Sequence, residues 1–186
     1  MTTASSARSP TSSALACAAL AIAVAAGAPA CKKDEGAIVV GTSSSSERAS
    51  APVEFKLDSL DDREVSTASV LGRPTVITFV TTWDLSSQAQ VDYLVPMAKR
   101  DGAKVGYVMV ALQEPHDREL VQVFAEHLGV PFPVAMADDD LRSGAGSFGS
   151  IPAVPTTVIL DRAARMVWRH VGLARPEEIR EGLSGL

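Results

Sequence analysis

Apolar and polar positions along the chain change period several times, and each change marks an element. Residues 74–81 carry the run Val76-Ile77-Thr78-Phe79-Val80, and residues 104–112 read KVGYVMVAL. Unalternated runs of this length are what parallel strands covered on both faces require. Between them Val91, Leu94, Val95 and Ala98 recur at the spacing of one helix face, behind Asp84, whose carboxylate could cap the helix by accepting from the N–H of Ser86 or Ser87. The unit is strand, helix, strand. Further along, Val121, Phe124, Ala125 and Leu128 place a helix over residues 118–128, and a short strand follows at 134–136. Residues 156–160 and 166–171 form a hairpin about Asp161-Arg162-Ala163-Ala164, and Pro176 opens a last helix over 177–186, with Ile179, Leu183 and Leu186 on one face. Short strands at 55–57 and 64–66 precede the central run. No internal repeat is present, and the class is α/β.

The N-terminus has a different character. Arg8 precedes an uncharged Ala-rich run over residues 14–30, the order of an export signal. With Gly27 and Pro29 near its end it is short for a spanning helix of about 20 residues. Residues 27–33, GAPACKK, resemble a bacterial lipobox, with Cys31 as the lipidated residue and Ala28 where a Leu is usual. Cys17, behind Leu15-Ala16, could match too, but cleavage there would leave a second apolar stretch; an ordinary signal peptide and an uncleaved anchor also stay open. The chain thus divides into a signal peptide (1–30), a Ser-rich flexible tether (31–52) and a domain (53–186).

Charge and cysteines narrow the chemistry. The formal net charge is −5, and cleavage before Cys31 removes Arg8, taking it to −6. That balance argues against a nucleic-acid partner. Cys17 and Cys31 are the only cysteines, so the domain holds no thiol, no disulfide and no cysteine metal site.

Two stretches resemble a known family. Phe79-Val80-Thr81-Thr82-Trp83 followed by a helix start is similar to the Phe-x-Ala-Thr-Trp-Cys-x-x-Cys corner of the TlpA/ResA-type thiol-disulfide oxidoreductases. Residues 154–162, VPTTVILDR, resemble that family's cis-proline loop and the strand after it. The resemblance spans about residues 53–186 and implies a thioredoxin-like fold, a central mixed β-sheet flanked by helices. It also implies that Val154 and Pro155 face the redox corner, where the backbone of Val154 could pair with an extended peptide, and that Trp83 shapes that face. The departure lies in the pair itself. Asp84 stands in place of the nucleophilic cysteine and Ser87 in place of the resolving one, and neither side chain can attack or resolve a disulfide. Gln90 stands where the family tends to carry Glu, Asp92 takes the place of its helix proline, and Pro96 comes about one turn later.

Other candidates have plainer readings. Ser86, Ser87 and Asp84 with His116, His127 or His170 could form a hydrolytic set, but no Gly-x-Ser-x-Gly elbow is present. Asp138-Asp139-Asp140 reads as a solvated turn, since Arg142 takes a ligand position of the calcium-loop pattern. The Gly144, Gly146, Gly149 spacing follows no long strand and suggests a flexible loop rather than dinucleotide binding. No cofactor or metal is expected. Three functions remain: a redox-inactive, lipid-anchored module that binds an envelope polypeptide through Trp83, Val154 and Pro155; an oxidoreductase working with a partner's cysteine; and another activity on the same fold. Lys32 after Cys31, in place of an inner-membrane-retaining Asp, favours the periplasmic face of the outer membrane.

Overall fold

The computed structural model describes residues 51–186. Cys17, Cys31, the signal and the tether up to residue 50 lie outside them. The elements in order are β1 (Lys56–Ser59), β2 (Val65–Ser66), α1 (Thr67–Val70), β3 (Thr75–Val80), α2 (Leu85–Asp101), β4 (Gly106–Ala111), α3 (Arg118–His127), β5 (Val134–Met136), α4 (Asp139–Ser143), β6 (Thr156–Leu160), β7 (Met166–Val171) and α5 (Pro176–Leu183). The strands form one sheet in the order β2-β1-β5-β4-β3-β6-β7. β3, β4 and β5 run parallel, and the remaining pairs are antiparallel, so the sheet is mixed.

The two long apolar runs are the central strands, buried at every position because both faces of the sheet are covered. Val76 and Val80 pack with Val91, Leu94, Met97, Val121 and Ile179, the inner faces of α2, α3 and α5. Ile77 and Phe79 point the other way, into a cluster with Val53, Leu57, Val70, Leu141 and Phe148. Burying a side chain of this size stabilises by about 1.5–3 kcal/mol, so the two layers clamp β3 and fix where its end, the candidate corner, can lie.

The β6–β7 hairpin turns on Asp161, whose carboxylate accepts the N–H groups of Ala163 and Arg165, both at 2.8 Å. Burial alone would raise the pKa of this acid; the hydrogen bonds and the Arg165 guanidinium outweigh it and hold the carboxyl below its ordinary range.

Three local expectations give way. The acidic triplet is solvated but is a helix start rather than a turn: Asp138 accepts the Leu141 N–H at 2.8 Å and caps α4, with Asp139 and Asp140 in its first turn, where the helix dipole favours acids. Residues 144–149 are no free loop. Gly144, at φ 82°, ends α4 and turns the chain so that Phe148 is buried, its ring centroid 5.0 Å from Phe55 and 5.2 Å from Phe79. The last helix stops at Leu183, where Ser184 becomes extended.

Candidate functional site

The corner after β3 is held by the two residues that stand at the cysteine positions. Asp84 is extended, with φ −97° and ψ 122°, and caps α2 by accepting the Ser87 N–H on Oδ2 at 2.6 Å. Ser87 is fully buried, and its Oγ accepts the Thr81 N–H at 3.3 Å. Together they tie the helix start to the strand end. The carboxylate also sits at the positive end of the helix dipole, worth roughly half a charge. Asp84→Ala removes that cap and is expected to cost about 0.5–2 kcal/mol, read as a melting temperature lower by several degrees; an unchanged melting temperature would mean that the cap contributes nothing.

The chain around the cap is exposed. Trp83 is 68% and Leu85 78% accessible, unusual for side chains this large and apolar. Phe79 pairs with Thr156 across β3 and β6, so Pro155, one residue earlier, lies beside the end of β3. The Val154–Pro155 bond is cis. The carbonyl of Pro155 accepts the Gly172 N–H at 2.8 Å, which brings the half-exposed Val171 and Leu173 to the same end of the sheet. Trp83, Leu85, Val154, Val171 and Leu173 are therefore gathered at one end of three adjacent strands, around a Pro155 that is itself buried.

Two glutamines complete the corner. Gln113 follows β4, is buried, and accepts the Thr82 N–H on Oε1 at 2.8 Å. Its Nε2 and the Thr81 Oγ1 are buried with no hydrogen-bond partner among the described residues. Gln90, buried on α2, accepts the Ala174 N–H at 2.7 Å and donates to the Ala174 carbonyl at 3.2 Å. Sequence reading missed Gln113 because its role depends on β4 lying beside β3; the available signal was a polar residue just past the end of the neighbouring apolar run.

The hydrolytic alternative does not assemble. His116 and His127 are exposed, His170 stacks on Trp168 at 5.7 Å, and none of the three bonds to Asp84, Ser86 or Ser87. Among the described residues, no group of three or more His, Cys, Asp or Glu is placed to hold a metal ion.

No protein-family model matches the sequence. A curated relative, the thiol-disulfide oxidoreductase ResA of Geobacillus thermodenitrificans, is 25% identical over 136 residues, 72% of this chain and 74% of that protein. Along most of its length the chain is thus similar to a thiol-disulfide oxidoreductase of the ResA type. Solved structures agree on the fold. A DsbF homologue from Corynebacterium diphtheriae superposes with a TM-score of 0.64 at 18% identity, covering 73% of this chain and 86% of that one. A secreted Mycobacterium tuberculosis disulfide oxidoreductase superposes at 0.60 with 19% identity, over 72% of this chain and 96% of its own. Beside relatives named for thiol-disulfide exchange, this domain has an acid and an alcohol at the start of α2 and no sulfur nearer than its methionines.

Proposed function

We propose that the chain is a membrane-tethered thioredoxin-like lipoprotein of the cell envelope that has lost dithiol exchange and binds a polypeptide through the end of the sheet formed by Trp83, Val154 and Pro155. The observation that carries this reading is the latch at the corner: Asp84 and Ser87 are engaged in holding strand to helix, a structural use of the positions where the family's exchange chemistry would take place. Thiol chemistry requires a thiolate, and residues 51–186 contain none. The exposed Trp83 and Leu85 beside half-exposed Val171 and Leu173 support a docking role, since aromatic residues of this kind dominate the energetics of interfaces.

The placement in the envelope rests on the Ala-rich run, the lipobox-like residues before Cys31 and the likeness to an oxidoreductase described as secreted. Among the described residues no helix is long and apolar enough to cross a membrane. Lys32 after that cysteine favours the outer membrane.

The test compares wild type with Trp83→Ala as bait in an envelope extract. We expect at least one polypeptide retained by wild type and lost by the variant, since truncating an interfacial Trp commonly costs 2 kcal/mol or more, about thirtyfold in affinity. Because Trp83 is exposed, the variant should keep its melting temperature. An identical set of captured polypeptides from both baits removes Trp83 from the interface. Dithiol turnover by the purified protein removes the claim of lost exchange.

A further inference from the structure

A concavity lies at the end of the sheet where β3 and β4 begin, away from Asp84. Its volume is about 290 Å³, and its walls come from Arg73 before β3, Lys99 in the last turn of α2, Gly106 and Tyr107 at the start of β4, and the 131–133 segment. Three cations line it. Arg63 is satisfied: it pairs with Asp61, holding that carboxyl below its ordinary range, and donates to the carbonyls of Pro131 and Phe132. The side chains of Arg73 and Lys99 make no ion pair or hydrogen bond among the described residues. The nearby acids are already engaged, Asp61 by Arg63 and Asp101 by the Tyr107 hydroxyl, which donates to it.

Gly106 gives this arrangement its shape. A Cβ there would come within 2.5 Å of Thr75 Oγ1 and 3.2 Å of Arg73 Nε, so only bare backbone lets the Arg73 side chain lie across the start of β4. A basic residue in the last turn of a helix is ordinary, because it complements the carbonyl end. That accounts for Lys99 but not for an unpaired arginine sharing its cavity, in a chain whose formal charge is −5.

We propose that this cavity binds a phosphate group. The planar guanidinium of Arg73 can donate to two oxygens at once, and the Lys99 ammonium adds a mobile point charge. Two sources share that chemistry: a soluble phosphate or phosphomonoester, and the headgroup of an anionic phospholipid. The site is independent of the Trp83 face and of the reading given to it.

The full chain, labelled with ¹⁵N-glycine, is mixed with phosphatidylcholine nanodiscs, titrated with inorganic phosphate at constant ionic strength and followed through the Gly102 and Gly106 amides. A parallel sample uses nanodiscs containing phosphatidylglycerol and no added phosphate. Saturable shifts that weaken by about tenfold or more in Arg73→Gln/Lys99→Gln are expected; both residues are exposed, so the variant should fold. Saturation by phosphate identifies a soluble ligand, and shifts given only by phosphatidylglycerol identify a headgroup. A response to neither, an equal response to chloride, or saturation undiminished in the double variant overturns the site.

Discussion

Asp84→Cys/Ser87→Cys is expected to reduce insulin with dithiothreitol as electron source, while wild type stays at the rate of buffer. The scaffold already supplies what the first thiol needs. Position 84 caps α2, where the N-terminal dipole favours an anion, and a thiol there should fall from about 8.5 toward 7, raising its ionised fraction at neutral pH by about fifteenfold. Position 87 is one helical turn on and buried beside the Thr81 N–H, suited to a resolving thiol that reacts only after the first. Substituting both also removes the latch, so the double variant should be less stable than wild type by about the cost of the cap, 0.5–2 kcal/mol. Activity in the folded double variant would show that only the sulfur is missing. If it folds, forms its disulfide and still does not turn over, then the surroundings have drifted as well, and Trp83 and Pro155 no longer present substrate.

Much of this architecture could be read from the chain because its centre is doubly covered. β3 and β4 are mostly apolar and buried at every position, α2 between them repeats every three or four residues, and the order strand, helix, strand leaves few alternatives. What escaped is either short or non-local. α1 and α4 have four and five residues, too few for a period to show, so their only sequence signals are the caps Ser66 and Asp138. The cap on α2 was legible because Asp84 is local to the helix it starts. Gln113 was not, since nothing near it in sequence indicates that its amide would meet the Thr82 N–H 31 residues away. Phe148 hides for the same reason: flanked by Gly146 and Gly149 it looks like loop, and only the pairing of β3 with β6 brings that loop over Phe79.

Gln90 is the polar residue whose replacement should cost most. It interrupts the apolar inner face of α2, yet it is fully buried with both ends of its amide matched to the backbone of Ala174, in the connection between β7 and α5. Gln90→Glu keeps the shape and changes the charge. A carboxylate could still accept the Ala174 N–H but would face the Ala174 carbonyl without a proton to give it. Burial and that carbonyl both favour the neutral acid, so the folded-state pKa should rise by about 2–3 units from an unfolded value of about 4.3. The sign follows from linkage: between the two pKa values the folded state holds the extra proton, so stability falls as pH rises through that window and is flat above it. The variant should therefore approach wild type at pH 4, where the protonated acid can donate as the amide does, and be about 3–4 kcal/mol weaker at pH 7.5. Urea denaturation of both proteins at the two pH values measures the difference. Gln90→Leu is the control, because leaving the Ala174 N–H and carbonyl unpaired costs about 1–3 kcal/mol at either pH. An equal penalty for Gln90→Glu at both pH values would mean that the carboxylate finds compensation in the fold. By the family resemblance an acid is usual at this position, and there it would titrate close to the reactive pair. Here a group that cannot ionise stands one turn of α2 from a Ser87 that cannot exchange electrons, and both are spent on holding the helix in place.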